Sequence, residues 1–300
     1  MAEIILEAKG LIKQYGALRA VDKLSFSVER GSVFGVLGPN GSGKSTTLGM
    51  LTKVINSTAG SFSWFGQPEN VNNTKRLGTL LERPNFYGYM NAEDNLKVVA
   101  EIRGVDSAQI PDILKIMDLY ERRKGRFKTY SFGMQQRLAI GSALLGDPEV
   151  LILDEPTNGL DPEGIAEIRK MIIDISKHGK TIILASHLLD EVQKVCSDVL
   201  ILRKGVKIYT GDIHGFGQTI TSIELVAPNM LQLKEVALTH PRIKSVDMDN
   251  NMLIATMEGE YDASEINAYL MEYGVSLSHL YTRQISLETQ FLDLLKNHKS

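Results

Sequence analysis

Eight residues near the start of the chain constrain its fold more than any others. Gly38-Pro39-Asn40-Gly41-Ser42-Gly43-Lys44-Ser45 has the spacing GxxxxGK[ST], with Thr46 directly behind it. The apolar run Ser32-Val33-Phe34-Gly35-Val36-Leu37 precedes it and reads as a strand buried on both faces. A helical stretch from about Lys44 to Thr52 follows. Glycines let successive backbone N–H groups curl around an anion, a conformation a Cβ would obstruct. The helix behind presents its N-terminus to the same anion. The loop is therefore expected to cradle phosphates, with Lys44 as a point charge on the outer ones and the Ser45 hydroxyl as a ligand for Mg²⁺.

A second motif completes the chemistry. Val150-Leu151-Ile152-Leu153 is an apolar strand ending in two carboxylates, Asp154 and Glu155. Ligands of an open parallel sheet sit at the carboxyl ends of its strands. Asp154 is thus expected near the Mg²⁺ on Ser45, through a water, since Mg²⁺ keeps much of its hydration. Glu155 is expected near the terminal phosphate, where it can orient or deprotonate an attacking water. His187 follows a further apolar strand, Thr181 to Ala185, and can donate a hydrogen bond to that phosphate.

Composition excludes several classes. Of the 300 residues, 43% are hydrophobic and 23% charged, which is ordinary for a globular chain and not for a disordered or collagenous one. No apolar stretch approaches the roughly 18 residues that span a bilayer. The opening MAEIILEAKG lacks a basic segment followed by an apolar one, so no secretory leader is expected. One cysteine, Cys196, rules out an internal disulfide framework and suits a reducing compartment. A net charge of −3 gives no sign of a nucleic-acid partner.

Strands alternate with helices through residue 215, which predicts a mainly parallel sheet with crossover helices and added antiparallel N-terminal strands. A helical subdomain is expected over about 85–145. From Phe216 to Ser300 the chain carries 6 Lys+Arg against 11 Asp+Glu, while the rest is nearly balanced. This asymmetry and the Gly-rich stretch Gly211–Gly217 place a boundary near 215, dividing the chain into 1–215 and 216–300. The tail reads β-α-β-β-α-β, as in a small ferredoxin-like α+β unit, with a last helix from Ser286 to about Lys296.

The motifs together resemble the nucleotide-binding subunit of an ATP-binding cassette (ABC) transporter, over roughly residues 4–215. The diagnostic element is Tyr130-Ser131-Phe132-Gly133-Met134, followed by Gln135-Gln136-Arg137, where that family carries its LSGGQ signature. Pro156-Thr157-Asn158-Gly159-Leu160-Asp161 is similar to its D-loop, His187 to its switch histidine, and Tyr15 to the aromatic that stacks on adenine. The resemblance implies an α/β P-loop NTPase fold and an ATPase using ATP and Mg²⁺. It also implies a head-to-tail dimer, with ATP between the phosphate loop of one copy and Ser131 and Gly133 of another, and Asp161 at the same interface. Since the chain shows no span of its own, the resemblance also implies a separate integral membrane permease if the function is transport, with the chain at the cytoplasmic face of the membrane. Phe86, Tyr87, Tyr89 and Met90 are candidate contacts for that permease.

Two motifs depart from the family pattern. Phe132 and Met134 stand where it has Gly and Gln, and Glu82 stands where it has the Q-loop glutamine. Glu82 can still ligate Mg²⁺ through oxygen but cannot donate a hydrogen bond. The variant resembles the subgroup that exports, or gives immunity to, lantibiotics and bacitracin-like peptides; drift within an ordinary transporter accounts for it equally. A soluble ABC ATPase without a transport role, and a nucleotide-binding module with little turnover, stay open alternatives. The cations of Glu121–Arg126 read as a solvated turn, Cys196 as inert packing, Trp64 and Phe65 as core or edge packing, and Lys296–Ser300 as a frayed end.

Overall fold

The computed structural model describes residues 3–68, 71–81, 85–213, 221–249, 251–257 and 262–284. Glu82 and the expected helix from Ser286 lie outside them. The chain divides into two compact units, Met1–Ile213 and His214–Ser300.

The first unit runs β1 (Ile4–Tyr15), β2 (Leu18–Glu29), β3 (Val33–Leu37), α1 (Lys44–Leu51), β4 (Ala59–Trp64), β5 (Gln67–Pro68), α2 (Val71–Lys75) and β6 (Leu77–Leu80). It continues with α3 (Ala92–Arg103), α4 (Ile110–Ile116), α5 (Phe132–Leu144), β7 (Val150–Asp154), α6 (Pro162–Lys177), β8 (Thr181–Ser186), α7 (Leu189–Val195), β9 (Asp198–Arg203) and β10 (Val206–Asp212). Six strands form one sheet in the order β10-β9-β3-β8-β7-β6, parallel except for β10 at its edge. Every residue of β3, β7 and β8 is buried, as strands covered on both faces must be.

A second, antiparallel sheet has the order β2-β1-β4-β5. The long β1–β2 hairpin supplies the antiparallel N-terminal strands expected there. Its register shifts at several points, and such bulges break the period-two alternation that marks a strand in sequence. β6 was not anticipated as a strand. It is four residues long and contains Gly78, where a Cβ would fall 2.1 Å from the Ala143 carbonyl oxygen. Glycine is kept there by close packing against α5, not by a turn.

One carboxylate ties the amino-terminal ends of three parallel strands. Glu149, just before β7, accepts from Arg30 Nη1 at 2.7 Å ahead of β3 and from Arg76 Nε ahead of β6. These bonds, the Arg76 one foremost, hold the Glu149 carboxyl down to about 2. That end of the sheet is braced, and the other end is open for chemistry.

α3, α4 and α5 make up the helical segment. Arg103 caps the end of α5 by donating to the Ser142 and Ala143 carbonyls, and also reaches that of Leu77. Phe86 is half-buried, with its ring edge-on to Phe127 at 5.1 Å, so of the four candidate permease contacts it packs inward. Tyr87 and Tyr89 are exposed. Trp64 is buried and donates to the Leu51 carbonyl. Cys196 is buried, and burial pushes its thiol pKa up.

The second unit runs β11 (Thr221–Val226), α8 (Met230–Thr239), β12 (Ile243–Asp249), β13 (Met252–Met257), α9 (Ala263–Glu272) and β14 (His279–Gln284). Its antiparallel sheet has the order β12-β13-β11-β14, the ferredoxin-like arrangement. Ile223, Leu225, Leu253, Ala255 and Met257 face Leu233, Ala237, Ile266 and Leu270 in its own core.

Candidate nucleotide site

The parallel register brings the sequence motifs to one edge. Leu37 pairs with Ser186, and Asp154 with Ala185, so β3, β7 and β8 end side by side. Gly38 N–H donates to the Ser186 carbonyl at 3.3 Å and Glu155 N–H to that of Ala185 at 3.0 Å. The loop, the acidic pair and His187 are therefore neighbours by strand pairing alone.

The loop is held tightly. Gly41 and Gly43 have φ of +77° and +102°, which side-chain-bearing residues rarely adopt. A Cβ on Gly43 would meet the Ala20 carbonyl at 2.6 Å, so the β1–β2 hairpin that carries Tyr15 abuts the loop. Gly43 gives α1 no side-chain cap, leaving the first N–H groups of the helix available. Ser42 Oγ is buried with no hydrogen-bond partner among the described residues. Pro39, Asn40 and Ser45 are exposed, and Thr46 is half-buried. The cradle fits a phosphate chain.

Lys44 is buried and committed at three points. Its Nζ donates to the Gly38 carbonyl at 2.8 Å and the Pro39 carbonyl at 3.4 Å, and it lies 3.2 Å from Glu155 Oε1. The other oxygen, Glu155 Oε2, lies 2.8 Å from His187 Nδ1. An ionised carboxylate only accepts, so this bond puts a proton on Nδ1 and leaves Nε2 for another partner. Glu155 also has φ of +48°, an uncommon value for a side-chain-bearing residue. Asp154 is buried beside it. Mg²⁺ needs only one or two protein oxygens when phosphates and waters supply the rest, and Ser45 with Asp154 is such a set.

Tyr15 is exposed at the end of β1, with Lys13 Nζ 4.8 Å from its ring centroid. Ser131 caps α5 by accepting from Met134 N–H at 3.3 Å, which leaves its own O–H free to donate. Gly133 follows on the first turn of that helix. Asp161 caps α6 by accepting from Gly164 N–H at 3.0 Å. Sequence reasoning quoted Gln136 behind the signature but gave it no role. It is buried one turn behind Phe132 and lines, with Phe132, Asp154, Glu155, Asn158 and Gly159, a cavity of about 630 Å³. Its i, i+4 spacing from Phe132 was the available signal.

The sequence pattern of the ABC transporter family matches residues 21–158. The bacitracin transport ATP-binding protein BcrA of Enterococcus faecalis is 30% identical over 98% of this chain and 97% of its own length. The chain belongs to the ABC transporter family. Another of its relatives is the lantibiotic transport ATP-binding protein SrtF of Streptococcus pyogenes, 36% identical over 70% of this chain and 92% of its own length. Among solved structures, cbiO1 of Clostridium perfringens, part of the ABC transporter complex cbiONQ, superposes with a TM-score of 0.65. It is 27% identical and covers 80% of this chain and 97% of its own. As an ABC ATP-binding subunit, the chain binds and hydrolyses ATP. Among the described residues no helix is long and apolar enough to cross a membrane.

Proposed function

We propose that this ABC subunit powers export of a bacitracin- or lantibiotic-like peptide through a separate membrane permease, at the cytoplasmic face of the membrane. The likeness to BcrA and SrtF supports the substrate class. Two copies pair head to tail and enclose ATP between the loop of one and Ser131 and Gly133 of the other. ATP favours the closed pair, and hydrolysis releases it.

The observation that carries the chemistry is Glu155 held between Lys44 and His187. In the closed pair Lys44 turns to the outer phosphates. Glu155 takes the proton of a water attacking the γ-phosphorus, and the bond to the ADP oxygen breaks. His187 Nδ1–H orients Glu155, and Nε2 faces the phosphate. Ser45 and Asp154 would hold Mg²⁺, which neutralises phosphate charge when bound. Tyr15 stacks on adenine. Asp161 fixes the start of α6 at the pairing face.

Deleting the gene tests the export reading. The strain should become more sensitive to bacitracin or to a lantibiotic, and the wild-type gene, but not its Glu155→Gln form, should restore resistance. Unchanged sensitivity to both peptide classes contradicts this reading.

A further inference from the structure

Phe132 replaces a glycine of the family signature, and the structure gives the bulky ring a seat. Gly159 of the D-loop has φ of +80°, and a Cβ built on it would lie 3.2 Å from Phe132 Cε1 and 3.7 Å from Cζ. The ring thus occupies the space a side chain at 159 would need. The next pair meets as well, since a Cβ on Gly133 would lie 3.7 Å from Leu160 Cδ2. Two successive signature residues are matched by two successive D-loop residues of the same chain. Phe132 remains 38% exposed, so an inward-facing core position does not explain it.

The D-loop is in turn tied to the acid. Asn158 N–H donates to the Glu155 carbonyl at 3.1 Å, and Leu160 N–H to that of Thr157 at 3.3 Å. The path from signature to acid is therefore one ring contact, one peptide link and one hydrogen bond. Phe132 stands at the start of α5, whose cap Ser131 is the proposed contact to the second copy's nucleotide.

We propose that Phe132 is a positioning residue: it seats the D-loop of its own chain through Gly159, so that engagement of the signature by a second copy is transmitted to Glu155. This rests on the two-copy reading above. A contiguous path is not by itself coupling, so the test is a double-mutant cycle.

The experiment measures steady-state ATP turnover, ATP binding and thermal midpoint of the purified full chain as wild type, Phe132→Ala, Phe132→Leu, Gly159→Ala and Phe132→Ala/Gly159→Ala. Phe132→Ala should lower kcat about tenfold or more, as misplacement of a reacting group does, with KM for ATP and the thermal midpoint held. Gly159→Ala should lower kcat to a similar extent with KM held, and should also lower the thermal midpoint, because alanine is strained at a φ of +80°. Phe132→Leu should restore most of kcat by refilling the seat. In the double variant the two losses should be clearly less than additive in kcat. Wild-type kcat in folded Phe132→Ala, or additive losses, overturns the inference. Equal coupling in kcat and thermal midpoint also overturns it, since that marks a contact that only stabilises. If Lys44→Ala turns over ATP like wild type, the proposed function fails and takes this inference with it. With Lys44 required, a failed cycle removes this inference alone.

Discussion

Lys44 and Glu155 form an ion pair across the ends of β3 and β7, 3.2 Å from Nζ to Oε1. The Lys44 side chain is 5% exposed and that of Glu155 19%, so the pair is only partly screened by water. In the proposed mechanism a phosphate entering the loop competes with Glu155 for the same ammonium group. That mechanism keeps the released carboxylate on His187, ready to accept a proton.

Glu155→Gln should therefore separate binding from turnover. The amide keeps the shape, removes the competing charge and cannot act as a base. ATP should bind at least as tightly as to wild type, while kcat falls about a hundredfold or more. Isothermal titration and a phosphate-release assay check the two halves.

Gly43→Ala should abolish nucleotide binding. It places a methyl 2.6 Å from the Ala20 carbonyl at a φ of +102°, which requires the loop or the hairpin to move. A fluorescent nucleotide should show no saturable binding, whereas Gly31→Ala, with nothing within 4 Å though also at positive φ, should bind normally.

Glu149 predicts a pH dependence of stability. Its folded pKa is depressed to about 2 from 4.5, so its contribution is full above 4.5 and is lost as pH falls toward 2. The group and its partners are about a third exposed, and solvent screening limits the contribution to about 1 kcal/mol. Urea midpoints should place Glu149→Gln below wild type at pH 7, with the gap narrowing below pH 4.5. A gap of constant size contradicts the bracing role.

Cys196 should be inert in the folded protein. It is 4% exposed, and its thiol pKa is raised by burial. A disulfide reagent should label it only after denaturation. Rapid labelling of native protein would mean that α7 opens readily.

The phosphate loop, the acidic strand end and His187 are legible in sequence because each ends a fully apolar run, and parallel pairing then makes them neighbours. The span of α6 is equally legible: Asp161 caps it, Pro162 opens it, and its apolar residues keep a helical period. The ferredoxin-like order of the tail follows from alternation and turn residues. What sequence hides is pairing between distant side chains. Nothing in the runs around Lys44 and Glu155 says that their charges meet, nor that Phe132 fills the space above Gly159. β6 escapes because four residues with a glycine carry almost no periodic signal. Phe86 looks like a surface aromatic until Phe127, 41 positions later, takes its edge.

The central claim is that ATP joins two copies of this chain through sites each copy half supplies. Sedimentation velocity of Glu155→Gln, with and without ATP and Mg²⁺, tests it most directly. The account predicts a monomer without nucleotide, a dimer with it, and a monomer under both conditions once Lys44→Ala is added. A Glu155→Gln protein that binds ATP to saturation yet stays monomeric would contradict it.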